Sequence, residues 1–157
     1  MNSRIDVTVA AVIERSGRYL LVEERVAEQL VFNQPAGHLE LGESLLEAVV
    51  REVGEETGFA FVPEALVGVY LWQSNGPDHA YLRVCFTGSA TAPTSEPTLD
   101  VGIVAAHWLS REQLLNPERE LRSPLVLRCI DDFRNGARFP LACLRHLAPE
   151  RVDRRTG

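Results

Sequence analysis

Residues 37–59 read GHLELGESLLEAVVREVGEETGF. Leu46, Val49, Val50 and Val53 recur at i, i+3, i+4 and i+7, which predicts a helix over Ser44–Glu56 with one buried stripe. Gly58 stands where a helix stops in the left-handed conformation. Glu52, Glu55 and Glu56 are three and four residues apart, so they share a face beside that stripe. Like charges so spaced repel by roughly 0.2–0.5 kcal/mol per pair. A cation among them would offset that repulsion.

Acidic composition on a helix ordinarily means a solvated face. Three features point instead to a metal site. The carboxylates cluster rather than alternate with lysines. They adjoin the apolar stripe, which holds them against the body of the protein. A Pro35-Ala36-Gly37 turn precedes the helix, where backbone carbonyls can face the same spot. Carboxylates with carbonyls make a hard oxygen site, suited to Mg²⁺ or Mn²⁺ over Zn²⁺. The loop pattern of an EF-hand is missing. A hard cation of this kind serves phosphates.

The rest of the chain sets the frame. Its 157 residues fit one domain, 1–147, followed by a polar tail, 148–157. The net charge of −6 argues against a nucleic-acid backbone or an anionic membrane as partner. The apolar run VTVAAVI at 7–13 is too short to span a bilayer. Cys85, Cys129 and Cys143 show no metal spacing and read as reduced core thiols of a cytoplasmic protein. No motif sets an oligomeric state.

Residues 5–13 read as a strand, and a turn at Ser16-Gly17 returns YLLVEER as its hairpin partner. LVFNQPAG is a short extended piece ending at Pro35 and Gly37. ALVGVYLWQ and AYLRVCFTG are two more strands joined by SNGPDH at 74–79. Residues 89–100 form a polar loop, and IVAAHWLS a further strand. Ser110 caps a short helix with Gln113 three residues on. A second long helix opens at Ser123 with Pro124 in its first position. The sum is an α/β (α+β) sandwich with a mixed β-sheet and two main helices.

The stretch at 37–59 resembles the Nudix box, G-x5-E-x7-R-E-U-x-E-E-x-G-U, where U is a bulky apolar residue. Gly37, Glu43, Arg51, Glu52, Val53, Glu55, Glu56, Gly58 and Phe59 match it position by position. The element order over 5–137 is similar to the Nudix α/β/α sandwich. The resemblance implies a Mg²⁺-dependent hydrolase, with Mn²⁺ as a substitute, acting on small nucleotides or related pyrophosphates. It assigns Glu52 and Glu56 as principal metal ligands, Glu55 as a third, and the Ala36 carbonyl as another. It makes Arg51 and Glu43 a buttressing pair. NQPAGHLE, LRSPLV at 121–126 and RFPL at 138–141 resemble the NudJ-type phosphatase subgroup. That implies phosphate release from nucleoside tri- and diphosphates and from hydroxymethylpyrimidine or thiamine pyrophosphate.

Substrate contacts are less sharply drawn. Arg122 and Ser123 at a helix start can bind an anion, or serve as a surface charge and an N-cap. Gln34 and His38 flank the Pro-Ala-Gly turn and can touch substrate or merely brace the turn. Trp72, Tyr81 and Arg83 alternate on strands and can stack a base, although strand aromatics are ordinarily core. Trp108 reads as core, and Glu23 and Glu24 as exposed strand-end charges. Many Nudix enzymes carry an acid six residues before the Trp that stands here at 108. This chain has Gly102 there, which leaves Asp100, Glu55 or an unassisted water as the source of base chemistry. Two further readings remain: a dinucleoside polyphosphate or nucleotide-sugar hydrolase, and a non-catalytic nucleotide sensor.

Overall fold

The computed structural model describes residues 4–73 and 78–148. Strand β1 (Arg4–Val12) is followed by β2 (Glu14–Arg15), β3 (Arg18–Val26), β4 (Gln29–Asn33) and β5 (Ala36–His38). Helix α1 (Leu45–Thr57) leads into the long strands β6 (Ala60–Gln73) and β7 (His79–Thr91). Strand β8 (Ile103–Ser110), a one-turn helix α2 (Arg111–Leu114) and helix α3 (Leu125–Arg134) complete the main elements. A 3₁₀ turn spans Leu141–Cys143.

One sheet has the order β5-β1-β7-β6, with β1 and β7 parallel and the outer pairs antiparallel. In the second, β3 pairs with β8 along one edge and with β2 and then β4 along the other. The alternation of β1 explains how the layers stack. Val9, Ala11 and Ile13 pack with Val49 and Val53 of α1. Ala10 and Val12 pack with Val126, Cys129 and Ile130 of α3. A sheet buried on both faces between two helices is the expected α/β/α sandwich, and it accounts for the unbroken apolar run in β1.

Several local expectations change. Ser16 and Gly17 do turn the chain, with φ of 51° and 75°. The hairpin they make is only two residues deep, Glu14–Arg15 against Arg18–Tyr19. Beyond it β1 departs to lie parallel with β7, because its doubly apolar sequence belongs in the centre of a sheet. The extended piece at 30–37 does not end at Pro35. Pro35 separates β4 from β5, which runs on to His38 beside β1. Helix α1 starts one residue later than expected, with Ser44 as its N-cap in a capping box with Glu47, and Gly58 ends it at φ 75°. Val50 is 40% exposed, and Ala48 takes its place in the buried stripe. Ser110 and Gln113 form a second capping box.

Ser123 does not cap α3. Pro124 holds that position with no side-chain hydrogen bond, and Ser123 Oγ makes none to the helix amides. Cys85 and Cys129 are buried free thiols, whereas Cys143 is exposed on the 3₁₀ turn. Residues 74–77 of the expected SNGPDH turn, and the tail from 149, lie outside the described residues. No helix among the described residues is long and apolar enough to cross a membrane.

Candidate active site

Arg51 projects from the middle of α1 and organises the loop in front of it. Its Nε and Nη2 donate to Glu43 Oε2 and Oε1 at 3.0 and 2.7 Å, a two-pronged pair. Nη2 also donates to the His38 carbonyl at 3.1 Å. Nη1 donates to Glu52 Oε1 at 2.8 Å and Glu55 Oε2 at 3.1 Å. The guanidinium beside Glu43 holds that carboxyl below its usual range. One side chain thus fixes β5, the loop and two glutamates of α1. Trp108 packs on Phe59 and under the Arg15 guanidinium, as a structural aromatic.

Gly37 shows why the box needs a glycine here. A Cβ at this position would lie 2.1 Å from the Glu52 carboxylate. Glu56 Oε2 accepts from the Ala36 amide at 2.9 Å, so both carboxylates lie against the β5 backbone. Burial, with neighbouring Glu55 and Asp100, raises the Glu52 carboxyl against the lowering pull of Arg51. Burial pushes Glu56 up to about 8, helped by the charges of Glu52, Glu24 and Asp100. Five acids, Glu24, Glu52, Glu55, Glu56 and Asp100, therefore compete for one desolvated region.

These groups line a cavity of about 400 Å³. Ala36, His38, Arg51, Glu52, Glu55 and Glu56 are on its α1 side. Asp100 joins them, tied in by its backbone amide, which donates to the Glu55 carbonyl at 2.9 Å. Arg83, Arg122 and Ser123 line it too, as do the half-buried Trp72 and Tyr81. The two aromatic rings stack on each other at 5.7 Å, 19° from parallel.

Two expected site residues lie elsewhere. Glu43 is behind Arg51 and acts on it alone among the site residues. Gln34 is 1% exposed and does not line the cavity. Its Nε2 donates to the Val126 carbonyl at 2.7 Å and its Oε1 accepts from Arg83 at 3.1 Å, so the amide braces α3 and Arg83. His38 lines the cavity, and its Nε2 is 3.3 Å from Asp6 Oδ2. Burial alone would raise Asp6, but hydrogen bonds from His79, Arg4 and His38 outweigh it and hold the carboxyl at about 2.

Glu24 is not an exposed strand-end charge. It lines the cavity, with Arg122 Nε 3.4 Å from its Oε1, and burial raises its carboxyl. Glu23 likewise meets His107 at 2.8 Å. Thr8 and Asn33 also line the cavity and went unnoticed in the sequence. Thr8 was within reach of it: it shares a face with Ala10 and Val12 by strand alternation, just beyond their apolar run.

A divalent cation fits this site. The donors are oxygen, Glu24 Oε1 is buried without a hydrogen-bond partner among the described residues, and burial, helped by the neighbouring acids, drives Glu56 toward its neutral form. Among the described residues no three such groups yet stand at ligand spacing. Glu52 Oε1 accepts from Arg51 and Glu56 Oε2 from the Ala36 amide.

In this mixed-sheet sandwich the clustered carboxylates of one helix and the cations Arg83 and Arg122 line one cavity. The NUDIX domain family model matches residues 3–129, and the chain belongs to the Nudix hydrolases. Phosphatase NudJ of Escherichia coli K12 is 38% identical over 136 residues, 86% of this chain and 87% of that one. A NUDIX hydrolase from Nitrosomonas europaea is 45% identical, with a TM-score of 0.87 over 92% of this chain and 98% of that chain. The NUDIX domain of Shewanella oneidensis NrtR, solved with ADP ribose, shares the fold at 18% identity and a TM-score of 0.66, over 84% and 88% of the two chains.

Proposed function

We propose that this enzyme is a Mg²⁺-dependent hydrolase of phosphoanhydride bonds in small nucleotides or related pyrophosphates. The substrates are nucleoside tri- and diphosphates and hydroxymethylpyrimidine or thiamine pyrophosphate, with phosphate released. The observation that carries this reading is the convergence of Glu52, Glu55, Glu56 and Asp100 on one cavity that Arg83 and Arg122 also line. The similarity to the NudJ phosphatases supports the same class of reaction.

Glu52 and Glu56, with Glu55 and the Ala36 carbonyl, would hold the cation, and Mn²⁺ suits the same oxygen donors. When bound, the cation supplies charge neutralisation for the reacting phosphoryl group and acidifies water. Arg51, braced by Glu43, keeps Glu52 and Glu55 in place before substrate arrives. Asp100 is the residue we assign to take the proton from the attacking water. Glu55 Oε2 is already engaged by Arg51, whereas Asp100 is held at the cavity by its backbone and its carboxylate remains available. Trp72 and Tyr81 give the organic part of the substrate a flat surface.

The test is release of orthophosphate and pyrophosphate in Mg²⁺ from nucleoside di- and triphosphates, thiamine pyrophosphate, a dinucleoside polyphosphate and ADP-ribose. Orthophosphate from the first three, absent in Glu56→Gln, is the expected result. Preferential cleavage of the last two would replace this reading with a dinucleoside polyphosphate or nucleotide-sugar hydrolase. Binding of these nucleotides with no turnover would make the protein a sensor.

A further inference from the structure

Four buried side-chain polar atoms lack a hydrogen-bond partner among the described residues: Thr8 Oγ1, Glu24 Oε1, Arg83 Nε and Ser123 Oγ. All four residues line the same cavity. Buried polar groups are almost always paired, so these four take their partners from what fills the cavity, water or a ligand. Glu24 has a cation beside it, since Arg122 approaches its Oε1 to 3.4 Å. The other three form a group of their own.

Thr8, Arg83 and Ser123 are 7%, 6% and 8% exposed. Thr8 and Arg83 are register partners on the parallel strands β1 and β7. They precede by two residues Ala10 and Cys85, which pack in the core on the α3 side, so strand alternation puts them on that same face. Ser123 stands just before α3 on the same side. Gln34 joins the two halves, donating to the Val126 carbonyl in the first turn of α3 and accepting from Arg83 Nη1. Arg83 is a buried charge with no carboxylate at ion-pair distance among the described residues, although Glu24 of the same cavity feels its charge. Its hydrogen bonds go to neutral amide oxygens, Gln34 Oε1 at 3.1 Å and Asn33 Oδ1 at 3.4 Å. It enters none of the ion pairs of the described residues, unlike Arg51 and Arg122 in the same cavity. A buried guanidinium left without a carboxylate is strongly disfavoured unless a ligand supplies the anion.

We propose that Arg83, Ser123 and Thr8 form a phosphate seat that works without metal. It takes the second, non-reacting phosphate of the substrate while the first lies at the carboxylate centre. Every orphan atom here can donate a hydrogen bond, and the start of α3 adds its backbone amides, which matches a phosphate oxygen set. The inference rests on the reading of the protein as a phosphoanhydride hydrolase.

The experiment is a calorimetric titration of inorganic phosphate into EDTA-treated protein. Saturable binding is expected for the wild type. Ser123→Ala should bind at least tenfold more weakly, the loss of one hydrogen bond to a charged group. Its hydroxyl has no partner in the protein, so removing it leaves folding intact. Arg83→Met should show no binding, and Arg83→Lys weak binding that separates lost charge from lost fold. No saturable binding by the wild type in EDTA, or equal affinity in wild type and Ser123→Ala, overturns the seat. Phosphate release in Mg²⁺ without binding in EDTA sinks the seat and spares the hydrolase reading. Binding in EDTA without release from any substrate does the reverse.

Discussion

Replacing Glu56 by Gln should make the metal-free protein more stable while removing its activity. Burial and the charges of Glu52, Glu24 and Asp100 push the Glu56 carboxyl up to about 8. The folded state therefore holds a proton that the unfolded chain has released between about 4.5 and 8, and stability falls as pH rises through that window. At 1.36 kcal/mol per pH unit, ionising this carboxyl costs the fold about 4 kcal/mol at pH 7.5, as an upper estimate. Gln keeps the acceptor for the Ala36 amide and carries no charge. For a domain of this size each kcal/mol moves the Tm by about 2–4 °C. In EDTA at pH 8, Glu56→Gln should thus melt several degrees above wild type, and the gap should close toward pH 5. Added Mg²⁺ should raise the wild-type Tm and leave that of the variant unchanged. Thermal melts across pH, with and without Mg²⁺, read both effects. A variant that melts no higher than wild type at pH 8 in EDTA would refute the crowded-carboxylate reasoning.

Gly37→Ala should lower kcat/KM at least a hundredfold, because a Cβ would meet the Glu52 carboxylate at 2.1 Å; steady-state kinetics with normal circular dichroism checks it. Arg51→Lys should lose the two-pronged hold on Glu43 and the links to Glu52 and Glu55, weakening Mg²⁺ dependence about tenfold or more in a metal titration of activity. Asp100→Asn should reduce kcat by about 10²–10⁴ with little change in KM, whereas the same loss in Glu55→Gln and not in Asp100→Asn would move the base to Glu55. Asp6 has a carboxyl held down at about 2, so its share of stability is present above 3.8 and lost as pH falls toward 2. Acid unfolding of Asp6→Asn should be correspondingly less steep over that range.

The box could be read because its chemistry is local. Spacing along one helix places Glu52, Glu55 and Glu56, and one arginine eight residues from Glu43 reaches back to it. The strands were legible from their apolar runs, but their partners were not. Which neighbour β1 chose depended on burial of both its faces, a property of the assembled sheet. Glu24 looked like any strand-end acid until α3 and its leading loop brought Arg122 to it from about 100 positions away. Gln34 sat in a suggestive motif, yet its amide is consumed inside the protein. Ser123 matched a helix-cap pattern because Ser-Pro-Leu is what such caps look like, and only the folded chain shows it lining the cavity without capping α3.

The central claim is that the carboxylates of α1 form a divalent-metal centre. Its most direct test is a Mn²⁺ titration of metal-free protein followed by electron paramagnetic resonance, for wild type, Glu52→Gln and Glu56→Gln. Saturable binding by the wild type, with Mg²⁺ competing and both variants binding at least tenfold more weakly, is the predicted result. Equal binding by all three proteins would place the metal elsewhere and contradict the account.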